Sequence, residues 1–432
     1  MKRVGVTLIT AALIVGLVGC PAGRRYSLTV SSTTGGSVTT PGEGTFNYAQ
    51  GTAASLVATP DIGYVFVNWT GDVSTVYDVG SLITLITMNG NYAITANFAA
   101  DVAIVFADPR LESAIREAIA IPERPIYRRD LGGLTGLQAS RKGISDLTGL
   151  EYATDLTGLN LGWNVISDIS PLAGLTKLTS LSLGWNLISD ISALAGLTGL
   201  TSLELWSNQI SDISPLAGLT GLTSLYLSGN QISDISALAG LTGLAWLGLW
   251  GNQIGDISPL AGLTGLTSLS LERNQISDIS PLAGLIGLTS LRFEGNDVGD
   301  IWSLAGFTSL TELGLSGHGI AEVSAVVNLG GLTHLSLLEG QISDISSLAG
   351  LTGLTSLDLG GNQIIDISPL AGLTGLDWLS LDNNQISDIS PLVANPGLAA
   401  GDEVDLWGNP LSAASVNTYI PELQARGVSV NY

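Results

Sequence analysis

The residues of this 432-residue chain best placed to do chemistry are seven tryptophans that share one spacing. Trp163 and Trp185 are 22 residues apart, Trp206 and Trp250 are 44 apart, and Trp246 and Trp378 are 132 apart. Trp407 follows, and Tyr226 joins them. Large rings bring contact area at low entropic cost, and Trp is enriched where binding energy concentrates. That chemistry is recognition, not bond-making. The other use of such a row is structural, with the rings stacking on each other and stiffening a sheet face.

Charged residues join the same period: Glu204, Glu272, Arg273, Arg292, Glu294, Glu312, Glu339, Asp358, Asp382 and Asp405. The row grades from aromatic to acidic along the chain. It suits a glycan, whose ring faces stack on Trp and whose hydroxyls bond to carboxylates, or a partly basic protein surface. A carboxylate pair could in principle hydrolyse a glycoside. An open sheet face, however, neither excludes water nor raises a carboxyl pKa. The two histidines, His318 and His334, lie in degenerate repeats near Glu339 and are too few to assign a metal. No phosphate loop, dinucleotide fingerprint or nucleophile elbow is present. The chain is therefore read as a non-enzyme without cofactor.

These residues are carried by a repeat. Asn recurs at 164, 186, 208, 230, 252, 274 and 296, and again at 362 and 384, with His318 and Gly340 holding the vacant places and Lys142 one unit earlier. A typical unit runs from Leu222 to Gly243, with Leu222, Leu225, Leu227, Ile232, Ile235, Leu238 and Leu241 as its apolar positions. One such coil cannot bury its apolar face, so coils must stack. The fold expected is a leucine-rich-repeat solenoid. Leu225 to Leu227 carries a strand of a parallel sheet on the concave side, and short 3-10 turns form the convex side. Residues alternating with the core leucines face concave solvent, which places the tryptophans there.

Two polar ladders accompany the leucines. The Asn ladder is read as structural, its amides bonding to backbone groups of adjacent coils. The Asp ladder runs from Asp146 through Asp168, Asp190 and onward to Asp388, with Glu322 filling one gap. It either caps each turn through backbone N–H groups or binds Ca²⁺. One carboxylate per coil is few for calcium, which needs several converging oxygens.

The flanks differ in composition. Lys2 and Arg3 precede an apolar run from Val4 to Val18, which reads as a secretion signal over residues 1–20. Leu17-Val18-Gly19-Cys20 resembles a bacterial lipobox, which implies lipidation of Cys20 and a membrane anchor. With one Cys there is no disulfide framework. Residues 21–25 form a tether, and 26–100 are a small all-β domain rich in Thr, Ser, Val and Gly. Residues 101–133 are a helical cap starting at Asp108-Pro109. Repeats then occupy 134–396, and 397–432 form a C-terminal cap with a helix over Ser412 to Ala425 and a strand at Val428 to Val430.

Two stretches resemble a known family. The repeat L-x-x-L-x-L-x-x-N with its second half Ile166-Ser-Asp-Ile-Ser-Pro-Leu172 resembles the internalin type of bacterial leucine-rich repeat. Gly35-Gly36-Ser-Val, Ala58-Thr-Pro60, Gly63-Tyr-Val-Phe66 and Trp69-Thr-Gly71-Asp72 resemble the divergent B-repeat domain of internalin-related surface proteins. The resemblance implies a β-grasp-like spacer, sometimes adhesive, and display at the cell surface or facing the periplasm.

The net charge of −22 opposes binding to nucleic acid. The function expected is a lipid-anchored adhesion protein, a monomer, that takes a protein or glycan ligand on its concave face. The expected ligand-binding residues are Trp163, Trp185, Glu204, Trp206, Tyr226, Trp246, Trp250, Glu272, Arg292, Glu294, His334, Trp378 and Trp407. The alternative is a structural envelope or spacer protein without a specific ligand.

Overall fold

The computed structural model describes residues 23–432 except 122, 299–300 and 318–322. Cys20 and the signal over 1–20 lie outside the described residues, as do Asp300, His318 and Glu322. The chain divides into two units, Met1–Ala103 and Ile104–Tyr432.

In the first unit, alternating sequence gives alternating burial. Its strands are β1 (Arg25–Ser32), β2 (Gly36–Thr40), β3 (Gly44–Ala49), β4 (Ala53–Pro60), β5 (Tyr64–Gly71), β6 (Ile83–Thr87) and β7 (Tyr92–Ala100). They form a four-stranded sheet in the order β3-β1-β7-β5 and a three-stranded sheet in the order β2-β4-β6. The first and last strands pair in parallel at the centre of the larger sheet. Leu28, Leu56, Ile86, Ile94 and Phe98 pack in one core with Trp69. The Trp69 indole N–H donates to the Ser81 carbonyl at 2.9 Å, so this ring is a core residue with its polar edge satisfied.

The second unit opens with α1 (Pro109–Ile119). Asp108 caps it, accepting from the Arg110 N–H at 2.8 Å, and its other oxygen accepts from the Ser145 N–H at 2.7 Å. One carboxylate thus starts the helix and ties it to the first coil. Burial pushes this carboxyl's pKa up, but the bonds from Ser145 and Arg110 hold it below the usual range. Leu111, Ala114 and Ile115 bury the helix's apolar side in the solenoid core.

Fourteen described strands, from Gly136–Gln138 to Ser429–Asn431, form one parallel sheet. The register is leucine on leucine: Leu203, Leu225 and Leu247 are successive partners. Each opposite half-coil turns on a short 3-10 segment such as Ser236–Leu238. The strand is Ser224–Tyr226, one residue earlier than the expected Leu225–Leu227, although Leu227 N–H still donates across to Gly248 at 2.8 Å.

Both ladders have specific partners. Asn208 Nδ2 donates to the carbonyls of Leu183 and Leu205 at 3.1 and 3.0 Å, and its Oδ1 accepts from Ile188 N–H at 3.0 Å. Each amide therefore bonds backbone groups in two coils, as sole acceptor for one N–H and as one of two donors to each carbonyl, since Leu183 also accepts from Asn186 and Leu205 from Asn230. Asp234 Oδ1 accepts from Ser236 N–H at 2.8 Å, as Asp168, Asp190, Asp212, Asp256, Asp278, Asp344 and Asp366 do from their own serines at the same distance and Asp388 does at 2.9 Å. A third ladder was not anticipated: Thr223 Oγ1 donates to the Thr201 carbonyl at 3.0 Å, and Thr179 and Thr201 repeat the bond.

Where His and Gly stand in the Asn ladder, at 318 and 340, the strands lengthen to Glu312–Ser316 and His334–Leu338. Leu315 and Ser316 pair with Leu337 and Leu338 there. The longer pairing occupies backbone groups in the coils whose ladder residue is not Asn. After Asn384, a helix running through Ser415–Tyr419 and Ile420–Ala425 and the strand Ser429–Asn431 close the array.

Candidate functional site: the concave face

The residue before each ladder Asn holds left-handed backbone. Trp163 (φ 60), Trp185 (φ 55), Ser207 (φ 54), Arg273 (φ 51) and Asn383 (φ 53) share this slot with Gly229, Gly251, Gly295 and Gly361. Trp163 and Trp185 are thus not alternating strand residues, as their spacing suggested. They stand in the turn that leaves the strand. Glycine adopts this conformation freely, whereas an L side chain there is strained by roughly 1–2 kcal/mol. Two bulky rings therefore occupy the slot where glycine is the relaxed choice.

The rings form one assembly. Trp163 and Trp185 stack with centroids 4.3 Å apart and planes 4° from parallel. Trp206 stands edge-on to both, at 5.8 and 6.1 Å. Its indole lies over Gly184, where any Cβ would come within 2.5 Å of the ring. Arg141 covers Trp163 at 4.8 Å, and Arg273 covers Trp250 at 5.5 Å. Tyr226 stacks on Trp246 at 3.8 Å, and Gly248 leaves the space for that indole. Despite these contacts, Trp163 and Trp185 remain 41% and 47% exposed, so the stack is a surface.

Trp185, Glu204, Trp206, Ser207, Tyr226, Ser228 and Trp250 line a cavity of about 570 Å³. Glu204 Oε2 accepts from Ser182 Oγ at 2.7 Å. Farther along, Arg292, Glu294, Glu312, His334, Asp358 and Trp378 line a second cavity of about 210 Å³, in which Gly314 leaves the recess for the Glu294 carboxyl. Arg292 and Ser290 both bond to Glu312. Glu294 Oε2 is buried without a partner, and burial, followed by the charges of Glu272 and Glu312, raises its pKa. Asp358 is raised too, by burial and then by Asp382. His334 is exposed and shares a hydrogen bond of 2.9 Å with Thr333 Oγ1. Glu272 bonds to Ser270, and Trp407 is exposed at the far end.

The structure therefore gathers most of the sequence-derived residues in two places. Trp185, Glu204, Trp206, Tyr226 and Trp250 share the first cavity, with Trp163 stacked beside it. Arg292, Glu294, His334 and Trp378 share the second. Trp246, Glu272 and Arg292 line a third cavity of about 300 Å³ between them, and Trp407 joins none of these three. Arg141 was missed, although it precedes Trp163 by 22 residues and so occupies the same slot.

Among the described residues, no group of three His, Cys, Asp or Glu is placed to hold a metal, and no helix is long and apolar enough to cross a membrane.

The repeats at 198–240, 242–284 and 330–372 match the family model for leucine-rich repeats, and residues 26–102 match the divergent InlB B-repeat domain. An internalin (inlF) of Listeria monocytogenes is 38% identical to this chain, with a TM-score of 0.71, over 76% of this chain and 96% of the other. The chain belongs to the internalin family. A second internalin from Listeria monocytogenes, internalin C2, is 40% identical over 50% of this chain and 99% of its own, with a TM-score of 0.48. The PEPR1–AtPEP1 complex matches at 25% identity and a TM-score of 0.54, over 64% of this chain and 42% of that one. No curated protein matches the sequence. The leucine-rich-repeat architecture of this chain is that of a binding fold.

Proposed function

We propose that this internalin is a surface-displayed recognition protein, lipid-anchored through Cys20, that binds an extended protein or glycan ligand along its concave face. The aromatic half, from Trp163 to Trp250, is the principal contact. One observation carries the reading: Trp163 and Trp185 stay exposed in a left-handed slot that favours glycine. Left-handed backbone is common to this slot in every described coil, so it is the choice of exposed indoles there that supports use of the surface. The internalin scaffold supports display, and the lipobox supports the anchor. The chain acts as a monomer in this reading, and its B-repeat domain spaces the solenoid from the membrane.

The test is an array of glycans and extracellular proteins probed with residues 21–432. The variant carrying Trp185→Ala, Trp206→Ala and Trp250→Ala is run beside it, and both are melted. The reading expects the variant to lose the array signal at an unchanged melting temperature. Array binding that ignores all three substitutions contradicts it.

A further inference from the structure

The stack of Trp163 and Trp185 is closed at one end and open at the other. Arg141 lays its guanidinium over Trp163 at 4.8 Å, and Trp163 lies on Trp185 at 4.3 Å. Trp206 does not cover the remaining face of Trp185. Its ring is edge-on to both indoles and is nearer to Trp163, at 5.8 Å, than to Trp185, at 6.1 Å. A ring on the far face of Trp185 would be nearer to Trp185, so Trp206 flanks the pair. Trp185 accordingly stays 47% exposed.

The next coil leaves that face open. Arg141, Trp163, Trp185 and Ser207 follow at intervals of 22 residues, and all hold left-handed backbone, with φ of 58, 60, 55 and 54. Their Cβ atoms therefore project alike, and successive slots lie roughly one strand spacing, about 4.8 Å, apart. A planar side chain at 207 would add a third layer to the stack, and serine is too short to do so. Trp185, Ser207 and Glu204 instead line the cavity of about 570 Å³. Glu204 Oε2 accepts from Ser182 Oγ at 2.7 Å, and Ser182 lies in the coil of Trp185, so the carboxylate reaches back toward that coil. No cation of the described residues pairs with it.

The chain itself shows what these indoles accept on a face. A guanidinium covers Trp163, and another covers Trp250 at 5.5 Å. A guanidinium is planar, so it stacks on a ring while its N–H groups donate sideways in its own plane. The open end of the stack offers both an indole face and an unpaired carboxylate. A neutral ring would leave Glu204 without a counter-charge, and an ammonium would not lie flat. The net charge of −22 also favours the approach of a cation.

We propose that the open face of Trp185 seats an arginine side chain of a protein partner. Its guanidinium stacks in the place above Ser207 and donates to Glu204, mirroring Arg141 at the other end. This rests on the concave-face reading above and names the partner's anchoring side chain.

The test titrates residues 21–432 with hexapeptides in which glycine alternates with arginine, with lysine or with phenylalanine, reading tryptophan emission and heat of binding. The arginine peptide should bind saturably and at least about threefold more tightly than either of the others. Ser207→Trp closes the stack with the chain's own ring, in a backbone slot that Trp163 and Trp185 already occupy in their coils. It should weaken the arginine peptide at least about tenfold at an unchanged melting temperature. Glu204→Gln keeps an acceptor for Ser182 and should weaken it at least about threefold. If Ser207→Trp melts early, Glu204→Gln alone decides. The proposal is overturned if the arginine peptide does not bind saturably, or if the lysine or phenylalanine peptide binds as tightly. It is also overturned if a folded Ser207→Trp or Glu204→Gln variant binds as wild type does. Failure on peptides with array binding still dependent on the tryptophans removes only the arginine. Array binding indifferent to the tryptophans removes the concave-face reading itself.

Discussion

The indole of Trp185 lies 4.3 Å from that of Trp163, within 4° of parallel, and both residues hold left-handed backbone. The stack contributes about 0.5–1.5 kcal/mol beyond area burial. The backbone opposes it at each residue by roughly 1–2 kcal/mol. Over the two residues that opposition is roughly 2–4 kcal/mol, more than the stack returns, so stability alone gives little reason for the pair.

Replacing Trp163 and Trp185 together by Gly should therefore lower stability by no more than about 1 kcal/mol. The thermal melt should move by only a few degrees while ligand binding falls. A large drop in melting temperature would make the rings stiffeners instead.

The Asn ladder should be less tolerant. Asn208→Ala leaves the buried Ile188 N–H without its acceptor and takes one of two amide donors from each of the Leu183 and Leu205 carbonyls, which Asn186 and Asn230 still serve. At about 1–3 kcal/mol for the one group left unpaired, the loss should be at least ~1 kcal/mol. A urea unfolding curve measures it, and a loss below ~1 kcal/mol would mean that water replaces the amide.

The Asp caps give a pH dependence of defined sign. The Ser192 and Ser236 backbone N–H groups hold Asp190 and Asp234 below the usual carboxylate range, and the Ser280 hydroxyl does most to hold Asp278 there. Lowered folded values mean stability that is complete above the ordinary Asp pKa near 3.9 and is lost as pH falls through the folded values. Melting temperature should thus fall below about pH 4. Because each Asp already accepts a backbone bond, EDTA or added Ca²⁺ should leave the melt unmoved.

Glu294 should behave in the opposite sense. Its folded pKa is raised by burial, so its ionisation weakens the fold as pH rises through that value. Glu294→Gln should raise the melting temperature at pH 7, relieving on the order of 1 kcal/mol. It should also remove the gain that the wild-type chain shows as pH falls through the raised Glu294 value toward the ordinary Glu range. Equal pH profiles for the two proteins would contradict the assignment.

The scaffold was legible because one period of 22 residues fixes it. Leucines repeating in register must share a core, and an Asn at a strand's end has only backbone to bond. Asp108-Pro109 likewise marks the helix that closes the array. The site was less legible. The turn conformation of Trp163 is set by the path of the chain between strand and ladder Asn, which alternation does not describe. A signal was present, since Gly229, Gly251, Gly295 and Gly361 fill the same slot and glycine marks left-handed backbone. The same arithmetic would have found Arg141. The cavity at Gly314 and the orphaned Glu294 oxygen depend on which side chains are absent beside them, and a list of present residues does not show that.

The central claim is that recognition belongs to the aromatic half of the concave face. Beads coated with residues 21–432 should adhere to surfaces bearing the array ligand. Beads coated with the Trp185→Ala, Trp206→Ala, Trp250→Ala variant should not. Beads carrying Trp302→Ala, which removes a 60% exposed indole from a 3-10 segment on the convex side, should adhere as wild type does. Adhesion that survives the concave substitutions, or that is lost with Trp302 alone, would contradict the account.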